Sequence, residues 1–479
     1  MSIETGDLGG LLGRVGAALD GLLADLPEDP VGRRARWLAA LERPLPDEGV
    51  GAESVLDELL GVVVPNGARL TEPGFWGFIT TAPTSVPAAA AAAASIAGAQ
   101  RYTITAFNLL EELSLEWLGS LCGLEPHMKG LYSSGGSTAN LVALGAARQW
   151  AFERAGIDPA ADGLGGLRPA VYASTEVHHT VQRSAGVLGL GRGSVRPVPT
   201  DGRQRADVGA LREMISADAA RGITPVAVVG TVGTTNTGAI DPLRTLGEIA
   251  AEHGAWFHVD GAYGLPGILD ERVAPRYDGL DLADSVIVDP HKWLAAPIGV
   301  AATFVRDRKI LHRAFTQEPA DYLEGSFAED DVRTSLDSIG IPYGDFGVEL
   351  SAPSRGVVVW SLIREQGVEG IRARIRRDND FAGYVARRAT EDPRLESLTE
   401  PELSIACIRH TGPAADLDAH NRSLLRRLVR ETRFLPSATS VGGRFAIRPC
   451  FINPRTEQHH VEGFVDAVIR IGDGLAREA

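Results

Sequence analysis

The stretch Asp289-Pro290-His291-Lys292-Trp293-Leu294 decides how the rest of this chain is read. It follows Ser285-Val286-Ile287-Val288, an apolar run of the length of one buried strand. Proline has no N–H to give a sheet ladder, so Asp289-Pro290 ends that strand. Lys292 therefore falls on a loop at a strand's carboxyl end, where open α/β sheets bind ligands. An amine flanked by an imidazole and an indole, and partly desolvated, can lose its proton and attack a carbonyl. Taken alone, the segment fits an exposed surface lysine equally well.

A second segment narrows the choice. Ala255-Trp256-Phe257-His258-Val259-Asp260-Gly261-Ala262-Tyr263-Gly264 is another buried-strand pattern ending in a polar loop. A Lys at one strand end and an Asp at another suit pyridoxal phosphate. The Lys forms a Schiff base and the Asp keeps the pyridinium nitrogen protonated, which makes the ring an electron sink.

These segments resemble those of the PLP-dependent group II amino-acid decarboxylases, among them the aromatic-L-amino-acid, glutamate and histidine decarboxylases. The likeness runs from about Glu72 to the C-terminus. It implies an α/β PLP-dependent transferase fold of the aspartate aminotransferase type, with a mostly parallel central sheet. It also implies a homodimer with active sites at the interface. Expected divisions are a helical arm over 1–70, a large α/β domain over 71–365 and a small α+β domain over 366–479.

Composition agrees with a globular enzyme: 479 residues, 44% hydrophobic and 23% charged. That length exceeds one hydrophobic core, so several packed units are expected. A net charge of −15 disfavours nucleic acid and anionic membranes. Cys122, Cys407 and Cys450 are too few and too scattered for a disulfide framework or a metal cluster, which fits a reduced cytoplasm. No secretory signal is read at the N-terminus. The alanine-rich run from Val86 reads as a packed helix with Pro87 in its first turn, not a membrane span.

Taken in order, Leu8 to about Gly67 shows helical periodicity, the pattern of an arm that needs a partner surface. Pro73 to Thr81 is aromatic and glycine-broken. It fits a core-packing loop, and the resemblance makes Phe75, Trp76, Phe78 and Thr80 a substrate wall. Arg101 fits a surface or interface salt bridge; the resemblance makes its segment line the neighbouring subunit's pocket, with Arg101 a partner for an acidic substrate. Gly135-Gly136-Ser137-Thr138 opens a helix, a place where an anion is favoured. The resemblance makes Gly136 and Ser137 the phosphate cup. His178-His179 lacks further ligands at metal spacing, so no metal is expected. The resemblance stacks His178 on the pyridine ring, with Ala262 on the other face, and adds Thr234 and His291 to the cofactor's surroundings. Residues 316–344 read as a polar lid, whose Tyr322 matches the tyrosine that protonates the substrate carbon. Ser351 to Arg355 departs from the family's usual serine and paired arginines, which leaves Arg355 without an assigned role. Beyond it, Ser404–Ile408 and Phe445–Arg448 read as strands.

The reaction implied is decarboxylation of an L-amino acid through Lys292, with Asp260, His178 and Tyr322 as the catalytic set. Two other readings remain open: transamination or oxidative decarboxylation on the same scaffold, and a non-catalytic nucleotide binder using the Gly135-Gly136 turn.

Overall fold

The computed structural model describes residues 8–24, 34–101, 106–316, 341 and 343–478. Contacts divide the chain into two units, Met1–Phe75 and Trp76–Ala479. The first holds helices α1 (Leu8–Ala24), α2 (Arg34–Leu41) and α3 (Ala52–Glu58). Arg14 pairs with Asp57 at 2.6 Å, joining α1 to α3. Leu8, Leu12, Leu19 and Leu23 of α1 are exposed.

The second unit begins within the short strand β1 (Phe75–Trp76). Helices α4 (Ser85–Ile96) and α5 (Ala106–Leu121) follow, and Pro87 sits in the first turn of α4 as expected. Strands and helices then alternate: β2 (Lys129–Ser133), α6 (Gly136–Glu153), β3 (Pro169–Ser174), α7 (Thr180–Val187) and β4 (Val195–Val198). Next come α8 (Val208–Ala220), β5 (Thr224–Thr231), α9 (Leu243–Glu252), β6 (Trp256–Asp260), β7 (Ser285–Val288), β8 (Ala301–Val305) and α10 (Lys309–Phe315). This alternation builds one seven-stranded sheet, ordered β2-β8-β7-β6-β5-β3-β4. Strands β4, β3, β5, β6 and β7 run parallel, and β8 is antiparallel to both neighbours. Strands β6, β7 and β8 are buried along their whole length, because helices cover both faces of a parallel sheet and leave no side for polar alternation.

Register then sets the site. Thr231 pairs with Asp260, and Asp260 pairs with Ile287, so three strand ends lie level. Because β8 reverses, β2 points the same way as β7, and Ser133 at its end lies opposite Ala301 at the start of β8. The loop from β2 to α6 is thereby brought to the same sheet edge as Asp260 and Lys292.

A long helix, α11 (Gly356–Glu391), is broken at Gly367, whose φ is 63°. Beyond it lie β9 (Leu395–Ser397), β10 (Ile408–His410), α12 (Leu417–Glu431), β11 (Leu435–Val441), β12 (Arg444–Arg448) and α13 (Gln458–Glu478). Strands β11-β12-β10-β9 form a separate antiparallel sheet. The expected strand over Ser404–Ile408 starts later, at Ile408. Ser404 N donates to the Tyr263 hydroxyl at 3.1 Å, while Ser404 O accepts from Phe451 N at 2.8 Å and Ala406 N donates to Pro449 O at 3.3 Å, scattered bonds that do not make a regular ladder. Only Ile405 makes a lone bridge, to Cys450.

Trp76 belongs to this C-terminal core. It is 1% exposed, lies 5.0 to 5.6 Å from the rings of Phe434, Phe451 and Phe464, and its Nε1 donates to Thr456 Oγ1 at 2.9 Å. Trp76→Ala should cost about 3–5 kcal/mol of stability, read from the urea midpoint, because three aromatic neighbours cannot collapse into so large a void.

Candidate active site

The carboxyl edge of the large sheet opens into a cavity of about 370 Å³. Lys292 and Asp260 both line it, with Gly136, Ser137, His178, Ala262 and His291 from the sequence expectation. Asn140, Thr180, Thr231, Thr235, Asp289, Ile79 and Ile298 complete the parts that matter chemically.

Lys292 follows β7 by four residues. Its backbone N–H donates to the Asp289 carbonyl at 2.9 Å, and its Nζ lies 3.0 Å from Asp289 Oδ2. That carboxylate also faces the start of α6: a Cβ added at Gly136 would stand 2.6 Å from Asp289 Oδ2. Glycine at 136 is thus required by close approach. His291 Nδ1 donates to the Val300 carbonyl at 2.6 Å, which fixes the proton on that nitrogen. Burial holds the His291 imidazole below its ordinary pKa, partly opposed by Asp289.

Asp260 lines the same cavity from the end of β6. Its Oδ1 accepts from the Ala262 N–H and its Oδ2 from Asn140 Nδ2, both at 3.1 Å. Asn140 has further partners. Its Nδ2 lies 3.3 Å from Thr180 Oγ1, and its Oδ1 accepts from His258 Nε2 at 3.0 Å. Thr180 Oγ1 also lies 2.8 Å from His178 Nδ1, which links His178 to the same chain of hydrogen bonds. His258 Nδ1 accepts from Ser285 Oγ at 2.8 Å, and Ser285 Oγ accepts from Trp256 Nε1 at 2.8 Å. The donors from Trp256 through Ser285, His258 and Asn140 all point toward Asp260. Burial pushes the His258 imidazole down to about 4 and lowers that of His178, so both stay neutral near pH 7.

The loop after β5 corrects one expectation. Thr234 does not reach the cavity wall. Its hydroxyl lies 2.9 Å from Thr237 Oγ1 and accepts from the Ala239 N–H at 3.1 Å, closing its own turn. Gly233 makes that turn at φ 84°, where a Cβ would meet the Tyr263 ring at 2.7 Å. Thr231 and Thr235 face the cavity instead. Asp241 accepts from the Thr231 and Ala206 N–H groups, which anchors the strand end.

The aromatic wall is also corrected. Trp76 is spent in the C-terminal core, and Phe75 belongs to the first unit. Phe78 is 72% exposed, with φ 56°. Neither Phe78 nor the half-buried Thr80 lines the cavity, whereas Ile79 between them does. The turn at Phe78 aims its neighbour inward. Arg101 is buried and donates to the carbonyls of Tyr132, at 2.9 Å, and Glu349. It ties the backbone of its own chain and does not line this chain's cavity. Arg355 likewise pairs with Glu349 at 2.8 Å and donates to the Gly299 carbonyl. Tyr322 lies outside the described residues.

Sequence reading missed Asn140, Thr180, Thr231, Thr235 and Asp289 as site residues. Asn140 carried a usable signal: it stands four residues after Gly136, on the same face of α6. Thr231 needed the strand register. Among the described residues no cluster of three His, Cys, Asp or Glu could hold a metal.

The residues fit pyridoxal phosphate. Two buried oxygens of the cavity residues, Thr231 Oγ1 and Asp289 Oδ1, have no partner, an unusual state unless a ligand satisfies them. The start of an eighteen-residue helix, whose first N–H groups lack partners inside it, supplies the anion end. An amine and a carboxyl group occupy the same cavity.

A model described as the pyridoxal-dependent decarboxylase conserved domain matches residues 37–411. The chain is 32% identical over 364 residues to an aromatic-L-amino-acid decarboxylase of Bacillus atrophaeus, covering 75% of this chain and 70% of that one. It is 31% identical over 433 residues to tryptophan decarboxylase 1 of Oryza sativa subsp. japonica, covering 85% and 81%. A crystal structure of Oryza sativa TDC with PLP and tryptamine superposes with a TM-score of 0.89 at 27% identity, over 99% of each chain.

His258 makes stability depend on pH. The unfolded imidazole takes up a proton below about 6.5, the folded one only below about 4, so its stabilisation is present above pH 6.5 and lost as pH falls toward 4. His258→Gln should therefore lose less Tm than the parent between about pH 7.5 and 5 in calorimetry. An equal loss in both proteins would remove His258 from this role.

Proposed function

The chain belongs to the pyridoxal-dependent decarboxylases, and within that family we propose that it acts on an L-amino acid with an apolar or aromatic side chain. It is a pyridoxal-phosphate-dependent carboxy-lyase that yields an amine and CO₂. The observation that carries the site assignment is the single cavity shared by Lys292 and Asp260. When bound, the protonated pyridine ring supplies the electron sink that breaking the Cα–carboxylate bond requires.

The chain's own groups have separable tasks. Lys292 is the amine that would bond the cofactor's aldehyde carbon. Asp260 would hold the ring-nitrogen proton, and its two hydrogen bonds preorganise it, so little rearrangement is needed as charge develops. Neutral His178 would cover one face of the ring and Ala262 the other. Gly136 and Ser137 would receive the phosphate at the start of α6, with His291 and Thr235 beside it. Tyr322 is assigned the proton that replaces the lost carboxylate at Cα.

Three observations support the substrate class. The branched side chains of Ile79 and Ile298 stand in the wall, and no arginine is among the described lining residues. Arg101, the natural partner for an acidic substrate, is engaged by backbone carbonyls. The named relatives at 31–32% identity act on aromatic amino acids or tryptophan.

A homodimer with sites at the interface completes this reading, supported by the exposed leucines of α1. A cytoplasmic setting is supported by three buried cysteine thiols, with Cys122 pushed up to about 12 by burial and the other two up to about 11. Light scattering should give twice the chain mass, and a monomer would sink the interface reading.

Supplied with PLP and a panel of amino acids, the protein should release CO₂ from tryptophan, tyrosine or phenylalanine at least about tenfold faster than from glutamate. Glutamate as the best substrate would overturn the assignment. In the same assay Lys292→Ala should release none above background. Tyr322→Phe should slow amine formation by about 10²-fold.

A further inference from the structure

Trp293, next to Lys292, is fully buried and gripped at two polar points. Its indole Nε1 donates to Asp378 Oδ2 at 3.0 Å. Its carbonyl accepts from Arg374 Nη2 at 3.1 Å. Asp378 and Arg374 stand four residues apart on α11, so one helix face holds one residue twice. The indole also stacks on Tyr263, with centroids 5.1 Å apart and planes at 25°. Tyr263 lies three residues past Asp260, and its hydroxyl pairs with Ser404 Oγ at 2.5 Å.

Burying an aspartate and an arginine is costly unless hydrogen bonds repay it. Arg377 pairs with Asp378 Oδ1 at 2.8 Å, which leaves Oδ2 to the indole. Among the described residues no ion pair joins Arg374 to Asp378, and Arg374 Nε is buried without a partner. What the two buried side chains have in common is Trp293. The turn they fix is short: Lys292 N donates to the Asp289 carbonyl at 2.9 Å, and Ala295 N to the Lys292 carbonyl at 3.0 Å. A shift of Trp293 would move Lys292 with it.

We propose that Asp378 and Arg374 are positioning residues for Lys292, acting through Trp293. They set where the amine stands relative to Asp260, and they do so from a helix that contributes nothing to the cavity wall. This rests on Lys292 as the amine that holds the cofactor.

The test uses the full chain reconstituted with PLP. Borohydride reduction and peptide mapping of the parent first establish that Lys292 is the modified residue. PLP release rates and the absorbance band of the bound cofactor are then measured for Asp378→Ala, Trp293→Phe and the double variant. Each single variant should release PLP about tenfold faster and shift the band's pH titration. The double variant should match the singles within about twofold, because both changes break one contact. Asp378→Asn keeps an oxygen for the indole and should stay near the parent. Release rates within about twofold of the parent in a folded Trp293→Phe would overturn the proposal. So would fully additive losses in the double variant. Should Asp378→Ala fail to fold, Trp293→Phe and Asp378→Asn decide by the same criteria. Failure of these variants to respond, with Lys292 labelled in the parent, leaves the Schiff-base lysine intact and removes only the positioning role.

Discussion

The bond from Asn140 Nδ2 to Asp260 Oδ2 is the constraint on which the site depends. It joins the first turns of α6 to the end of β6, the two walls a flat anionic ligand has to span. Asn140 is saturated: both its amide protons and its oxygen are used. An asparagine whose oxygen and both amide protons are engaged cannot flip without breaking several bonds at once. With its Nδ2 donating to Asp260, Asn140 turns its oxygen to His258 Nε2, which donates, so the other nitrogen of the neutral imidazole accepts from Ser285. The direction of donors thus propagates from an indole in the sheet interior to the carboxyl group at its edge. Such chains strengthen one another in a low-dielectric interior.

The sheet order explains why these groups meet. Parallel strands β5, β6 and β7 end level, which alone would gather Thr231, Asp260 and Lys292. It would not deliver a helix N-terminus to the Lys292 side of the cavity. The antiparallel strand β8 does that, by reversing direction once and placing the end of β2 beside the start of β8. Close approach then follows, with Gly136 against Asp289. One reversed strand is what turns a row of strand ends into an enclosed cavity.

Much of this was legible in the sequence. Runs such as Ser285–Val288 and Trp256–Val259 are apolar on both faces, which only a covered parallel strand tolerates, and the polar residues after them mark the edge. Lys292 and Asp260 were singled out that way, while His178 and Gly136 rested on the resemblance, and all four line one cavity. Thr234 was misassigned for a physical reason: four threonines stand within seven residues, at 231, 234, 235 and 237, and only the turn at Gly233 decides which hydroxyls face inward. Trp76 and Phe78 failed similarly. An aromatic beside a glycine can fill a core or wall a pocket, and the choice depended on Phe434, Phe451 and Phe464, which lie far along the chain. Arg101 read as one half of a salt bridge, whereas its acceptors here are carbonyls, which sequence hides.

The C-terminal sheet then acquires a purpose beyond its own packing. Arg448, buried at the end of β12, donates to the carbonyls of Phe78, Thr235 and Asn236. Two of those carbonyls adjoin or belong to cavity residues: Phe78 precedes Ile79, and Thr235 lines the wall directly. A guanidinium offers a rigid fork of donors, so three acceptors from two loops are held at fixed spacing by one planar group. The cavity segments at Ile79 and Thr235 are therefore tied to the small sheet through Arg448, while Asp260 is tied to α6 through Asn140, and the two sets of ties share no residue.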